Sequence, residues 1–351
     1  MNRRQVLQGS ALTMLSVITP AFAKGKEEMN ALTMTATWDK IFPLSPNIEH
    51  RKVSFNTRFG VTLAADLYRP KNRNGKLPAI AVSGPFGAVK EQSSGLYAHT
   101  LAEAGFLTIA FDPSFTGESG GFPRNVASPD ISTEDFSAAV DYLSNLDGVD
   151  ANRIGILGIC GWGGFALNAA AGDPRIKGVV TSTMYNMSRV NTLGYFDKMT
   201  DEDRWNAKVE LTRQRTVDFA NQSYAEAPTL PTKLSGNEPV FVQQYWQFYR
   251  TPRGFHPRSI NSNGAWNATS ALSFMNTPLL TYIGDIRCPA LLIHGEKAHS
   301  RYFSEDAFKQ LKGNNKELLI IPGATHTDLY DNTTNKIPFK RIVEFYQKAL
   351  V

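Results

Sequence analysis

Cys160 stands at the centre of the segment Gly158-Ile159-Cys160-Gly161-Trp162-Gly163-Gly164. An apolar run, Arg153-Ile154-Gly155-Ile156-Leu157, leads into it, and Phe165-Ala166-Leu167-Asn168-Ala169-Ala170-Ala171, which reads as a helix, leads away. Strand, glycine-bracketed turn and helix make the setting of a nucleophile elbow, where a strained turn lifts the nucleophile above a sheet. Glycines are wanted on both sides because a Cβ there would meet the strand or the helix. A thiol at such an apex, served by a base, attacks a carbonyl carbon. Trp162 departs from the pattern, since a small residue is usual at its position. The competing reading is a Gly-rich β–α connection around a small buried cysteine.

The chain holds two cysteines in all. Cys160 ends its expected strand, whereas Cys288 begins another, Pro289-Ala290-Leu291-Leu292-Ile293-His294. In a parallel sheet those are opposite edges, roughly 15–20 Å apart at ~3.3 Å per residue. A disulfide needs Cα atoms within about 7 Å. Cys160 is therefore expected to be a free thiol.

The first residues bear on where that thiol works. Arg3-Arg4-Gln5-Val6-Leu7 is a twin-arginine pattern, Ala11 to Pro20 a modestly apolar stretch, and Ala21-Phe22-Ala23 has the form of a cleavage site. The stretch is too short to span a bilayer. A signal peptide over 1–23 and a periplasmic or secreted mature protein are expected, without stable membrane insertion. Removing 1–23 takes away Arg3 and Arg4 and no acid, so the formal charge falls from +5 to +3. That mild charge, with no dense Lys/Arg run, gives no support to a nucleic-acid partner.

Positioning the elbow falls to an alternation of strands and helices. Residues 24–45 read as an extended lead-in, and 51–56 with 61–68 as an antiparallel hairpin. Strands follow at 79–83, 107–111, 153–158, 176–181, 289–294 and 317–321. Between them lie helices near 95–105, from a cap at Ser132/Thr133, at 165–171 and at 305–311, and a last helix runs from 338 to 350. The rhythm predicts a mostly parallel sheet with helices on both faces. It breaks over 185–286, which is polar, aromatic-rich and helical in pattern, and reads as a lid or cap inserted into a core of 46–184 and 287–351.

Taken with four further segments, the elbow makes the chain resemble the α/β-hydrolase superfamily, in its dienelactone-hydrolase-like branch, and the fungal polyketide transferases and thiohydrolases. Those segments are Gly84-Pro85-Phe86-Gly87-Ala88-Val89-Lys90-Glu91-Gln92, Asp112-Pro113-Ser114-Phe115-Thr116-Gly117-Glu118-Ser119-Gly120-Gly121, His294-Gly295-Glu296-Lys297-Ala298-His299-Ser300 and Pro322-Gly323-Ala324-Thr325-His326. The resemblance implies an α/β-hydrolase fold with a helical lid and a Cys-His-acid triad. His326, just after the last strand, takes the place of the catalytic imidazole; as an imidazolium it would lower the Cys160 pKa toward neutrality. The usual aspartate position is held by Ala298, which makes Glu296 the expected acid and Asp328 the alternative.

The same resemblance places the oxyanion donors at the backbone N–H of Gly161 and of Phe86, since Pro85 has none to give. Glu91 either pairs with Lys90 or touches the resting thiol, as a glutamate does in dienelactone hydrolases. His299 and His294 are expected behind the site as supporting or packing groups. No metal or organic cofactor is implied. The expected activity is hydrolysis of a small-molecule ester, lactone or thioester through an acyl-enzyme. The alternatives are transfer or hydrolysis of a carrier-bound acyl chain, a peptidase on the same fold, and a catalytically silent small-molecule binding protein. Substrate identity and oligomeric state are not written in these motifs.

Overall fold

The computed structural model describes residues 32–351. The expected signal peptide and the first part of the lead-in lie outside the described residues. From residue 32 the lead-in runs without helix or strand and sets Phe42 into the core. The chain then forms β1 (Ile48–Asn56), β2 (Thr62–Pro70), β3 (Leu77–Ser83), α1 (Ser93–Glu103), β4 (Leu107–Phe111), α2 (Pro129–Ser144), β5 (Val149–Ile159), α3 (Gly161–Gly172) and β6 (Ile176–Ser182). All of β4 and nearly all of β3 are buried, as strands covered on both faces must be.

After β6 the chain leaves the sheet for α4 (Met187–Leu193), α5 (Asp201–Asn221), α6 (Val240–Tyr249), α7 (Ile260–Asn263) and α8 (Ala271–Asn276). It returns through β7 (Ala290–Gly295), α9 (Arg301–Gln310), β8 (Lys316–Ile321) and α10 (Phe339–Ala349). The eight strands form one sheet in the order β1-β2-β4-β3-β5-β6-β7-β8. β1 and β2 pair antiparallel, β2 meets β4 antiparallel, and every later neighbour is parallel. This is the α/β-hydrolase fold that the resemblance implied.

Two local expectations change. Helix α2 starts at Pro129 behind Ser128, ahead of the expected cap at Ser132/Thr133; proline suits a first helical turn because its missing N–H would have no partner there. Helix α9 starts at Arg301, a turn before Glu305, so that Ser300 and Ser304 face β7. Among the described residues no helix is long and apolar enough to cross a membrane.

The core runs along both faces of the sheet, and Trp162 belongs to it. Its ring is 1% exposed and meets Phe111, Phe136 and Phe165 edge-on at 5.7, 5.5 and 5.2 Å between centroids. The bulk that departs from the elbow pattern thus points below the turn, away from the site. Truncating such a ring costs about 3–5 kcal/mol.

Candidate active site

Cys160 sits between β5 and α3 with φ 58° and ψ −128°. That is a strained conformation for a residue with a side chain, and it persists because the surroundings fix it. The Cys160 N–H donates to the Ser182 carbonyl at 2.9 Å, and its own carbonyl accepts from Gly163 and Tyr185 N–H, each at 2.9 Å. The flanking glycines are required sterically. A Cβ on Gly158 would lie 2.1 Å from the Trp162 carbonyl oxygen, and one on Gly163 2.5 Å from the Met184 Cβ.

The thiol faces the backbone N–H groups of Phe86 and Gly161 and the hydroxyl of Tyr330. Structure therefore brings together the sulfur and both expected oxyanion donors. The loop carrying Phe86 is held from the inserted segment: Asn261 Nδ2 donates to the Phe86 carbonyl at 2.7 Å, and Ser259 Oγ donates to the Gly87 carbonyl at 2.9 Å. Gly87 has φ +84°, and a Cβ there would lie 2.4 Å from Asn261 Oδ1. Asn261 could not have been chosen from sequence, where it is one polar residue among many in the insertion.

His326 is fully buried beyond Tyr330. Its Nε2 lies 2.9 Å from the Tyr330 hydroxyl, which itself lies against the thiol. Among the described residues no hydrogen bond joins His326 to Cys160 directly; Tyr330 stands between them. Burial pushes the Cys160 thiol above its ordinary pKa, against the pull of Tyr330 and the two N–H groups. Burial likewise holds His326 well below the usual imidazole range, with His299 and His294 adding to the effect. Both shifts favour the neutral forms, against the expected imidazolium–thiolate pair.

The far nitrogen of His326 departs from expectation as well. Nδ1 lies 2.6 Å from Ser300 Oγ and 2.8 Å from Thr183 Oγ1, and no carboxylate reaches it. Glu296 is exposed, and its Oε2 accepts from the Gly323 N–H at 2.7 Å. Asp328 accepts from the Thr325 N–H at 2.9 Å and pairs with Lys336 Nζ at 2.9 Å. Neither expected acid touches the imidazole. Each lies next to a loop N–H that it can cap, and a carboxylate already bonded to backbone, with water beside Glu296 and Lys336 beside Asp328, has no reason to enter the buried site.

Glu91 takes the first of its two expected roles. Fully buried, it pairs with Lys90 and Arg258 at 2.8 Å each, in a cluster with Asp112, Glu118 and Lys52. Lys90 and Arg258 hold its carboxyl down to about 2 against the upward push of burial. His299 bonds to the Tyr185 hydroxyl and stacks on Phe241 at 4.3 Å between centroids, and burial lowers it to about 4.

In front of the thiol opens a pocket of ≈ 160 Å³ lined by Phe86, Met187, Val190, Leu230, Asn261 and five tyrosines, Tyr185, Tyr195, Tyr245, Tyr249 and Tyr330. Among the described residues no charged side chain lines it. Tyr249, 1% exposed, lies close to Asn261 and Tyr330 but its hydroxyl completes no hydrogen bond with either. A buried hydroxyl without a partner is a place where a ligand oxygen or nitrogen gains most.

The whole chain has known relatives. It is 56% identical to the uncharacterized protein PA2218 of Pseudomonas aeruginosa over 99% of this chain and 95% of that one. The crystal structure of PA2218 superposes with a TM-score of 0.89 at 59% identity, covering 91% of this chain and 99% of that chain. Thiohydrolase aneE of Aspergillus aculeatus is 33% identical over 68% of this chain and 73% of its own length. The α/β hydrolase GrgF from Penicillium sp. sh18 shares the fold at a TM-score of 0.72 and 19% identity, over 86% of this chain and 99% of that one. The model of the X-Pro dipeptidyl-peptidase (S15) family matches residues 60–328. Sheet order, elbow and that match agree: the chain belongs to the S15 family and is built on the hydrolase-type α/β fold.

Proposed function

We propose that the protein is a cysteine hydrolase of small, uncharged esters or thioesters, working through an acyl-enzyme on Cys160. The observation that carries this reading is the thiol at a strained elbow, set against two backbone N–H groups and open to a pocket. In the reaction the sulfur swings off those N–H groups and attacks the carbonyl carbon. The carbonyl oxygen, gaining charge, takes the vacated place against Phe86 and Gly161. The thiol proton passes to the Tyr330 oxygen as Tyr330 gives its own to His326 Nε2. His326 then protonates the leaving group; in deacylation it takes a proton from the attacking water, again through Tyr330, and returns it by the same route to the Cys160 sulfur as the acid product leaves.

The pocket speaks to the class of substrate. A dipeptidyl-peptidase must hold the free ammonium of its substrate, and an ammonium taken from water needs a carboxylate or several acceptors. The lining offers no carboxylate or other charge, and its acceptors are five tyrosine hydroxyls and the Asn261 amide, all uncharged. A neutral acyl group with one oxygen for Tyr249 fits better. The name of the aneE protein, a thiohydrolase, supports a thioester among the candidates. The test is turnover by the chain from Lys24 on short acyl esters, lactones, acyl thioesters and an X-Pro anilide. Cleavage of a neutral ester or thioester, lost by more than about 10³-fold in Cys160→Ala, is expected. Preference for the anilide, or an active Cys160→Ala variant, overturns the reading.

We further propose export by the twin-arginine route, on the strength of Arg3-Arg4 and Ala21-Phe22-Ala23. Arg3→Lys with Arg4→Lys is expected to leave an unprocessed precursor in the cytoplasm; processing as before would point to another route.

A further inference from the structure

Behind His326 the hydrogen bonds do not stop. Ser300 Oγ, 2.6 Å from His326 Nδ1, lies 2.9 Å from His294 Nε2, and His294 Nδ1 lies 2.7 Å from Ser304 Oγ. Ser300, Ser304, His294 and His326 are all 0% exposed. Tyr330, His326, Ser300, His294 and Ser304 thus form one line, with a side branch at Thr183, whose Oγ1 lies 2.8 Å from His326 Nδ1 and 3.4 Å from His294 Nε2. The elements that build it are β7, the turn into α9 and the loop after β8, where a triad keeps its acid and its base.

We propose that His294, acting through Ser300, is the positioning residue that takes the place of the missing carboxylate. It holds neutral His326 as the tautomer with hydrogen on Nδ1 and a free lone pair on Nε2. The inference rests on His326 being the base that serves Cys160. In this polarity each hydrogen along the line from Tyr330 to His294 has an acceptor. Tyr330 donates to His326 Nε2, His326 Nδ1–H donates to Ser300 Oγ, Ser300 donates to His294 Nε2, and His294 Nδ1–H donates to Ser304 Oγ. When the thiol proton reaches Nε2, the imidazolium keeps its Nδ1–H on Ser300, so no bond in the line breaks. The opposite polarity is also a complete line, but in it Nε2 carries the hydrogen and cannot accept the thiol proton. A carboxylate would settle the choice by charge; here the bias comes from two hydroxyl oxygens, of Ser300 and Thr183, converging on Nδ1, where one N–H can be shared by both but one lone pair could accept from only one. The groups facing the pair from neighbouring elements are His299, 5.4 Å from His326 between centroids, Tyr185 and Tyr245 on the lid side, and Arg301 on the His294 side.

The experiment reads the tautomer directly, by nitrogen-15 NMR of the histidine-labelled mature protein between pH 5 and 8, beside kcat and KM on the best acyl substrate. Wild type is expected to show neutral His326 with hydrogen on Nδ1 at and above pH 7. Ser300→Ala and His294→Leu are expected to show mixed tautomers and a kcat lower by about 10- to 100-fold with KM within about twofold; a fully wrong tautomer in a comparable triad costs about 10⁴-fold. His294→Gln, whose amide can accept from Ser300 and donate to Ser304 without ever carrying charge, is expected to restore the tautomer and most of kcat. If His294→Leu does not fold, Ser300→Ala and His294→Gln still decide. Hydrogen on Nε2 in wild type, or variants that leave both tautomer and kcat unmoved, overturns the proposal. Failure of the Cys160 reading is seen separately, as full turnover by Cys160→Ala with the tautomer result standing.

Discussion

Burial favours the uncharged forms of both Cys160 and His326, and this changes what the site must do. A preformed ion pair would give a thiolate at neutral pH; a buried thiol beside a neutral imidazole must be deprotonated during attack. Because burial raises the thiol, iodoacetamide labelling of Cys160 is expected to rise steadily up to and beyond about pH 8.5, the free-thiol value. A plateau already reached near pH 7 would contradict the neutral pair. The two acids meet the same logic. Glu296 is engaged with the Gly323 N–H and Asp328 with the Thr325 N–H and Lys336, so Glu296→Gln is expected to change kcat by less than about twofold. Asp328→Asn weakens the loop that carries His326 and is expected to lower stability by about 1 kcal/mol while kcat stays within a few-fold. A loss of 10³-fold in either, measured in steady-state turnover, would return the acid role to that residue.

At the scale of elements, three pieces of chain meet at the oxyanion loop. The loop after β3 carries Phe86, Lys90 and Glu91; the segment before and within α7 supplies Arg258, Ser259 and Asn261; the lead-in supplies Asp39, 2.8 Å from Arg258. Buried pairs of this kind are costly to break singly, about 3–5 kcal/mol, because the partner left behind keeps its charge out of water. The loop is therefore locked to the insertion by fixed hydrogen bonds as well as by apolar contact. Asn261→Ala is expected to free the Phe86 peptide and lower kcat by about 10- to 100-fold, below the full cost of losing an oxyanion donor. Steady-state kinetics check this; a change confined to KM would make Asn261 a pocket residue only.

Across the whole molecule, burial of neutral imidazoles couples stability to pH. His299, His294 and His326 are all held below the ordinary imidazole value of about 6.5, His299 at about 4 and His294 at about 3. The unfolded chain binds these protons first, so their stabilisation is present above about pH 6.5 and is lost as pH falls below it. Asp135, raised by burial to about 7, acts in the opposite sense: it binds its proton folded, and its contribution is lost as pH rises through 7. One histidine can be separated from this sum. His299→Gln, measured by denaturant unfolding between pH 6 and 4.5, is expected to flatten the pH dependence by about one proton, or ~1.4 kcal/mol per pH unit. An unchanged slope would mean that His299 titrates alike in the folded and unfolded chain.

What the sequence determined is whatever depends on neighbours in the chain. The strand–turn–helix around Cys160, the alternation that dictates a parallel sheet, and the position of His326 after the last strand are all local patterns, since pleat, helix period and glycine-permitted turns act over a few residues. Gly161, the residue after Cys160, is local to the elbow for the same reason, whereas Phe86, on the loop after β3, is placed by the resemblance. Tyr330, Ser300, His294, Thr183 and Asn261 come to the site from separate elements, and only the packing of β7, α9, the loop after β8 and the insertion brings them within 3 Å of their partners. Neither carboxylate expected from the chain, Glu296 or Asp328, meets His326, because a side chain's reach along the chain does not fix its partner in space. In three dimensions Glu296 turns to the Gly323 N–H and to water, and Ser300 and Thr183 close the gap at Nδ1, with His294 and Ser304 behind them. A buried site accepts the partner that costs least to desolvate, and that comparison exists only once the chain is folded.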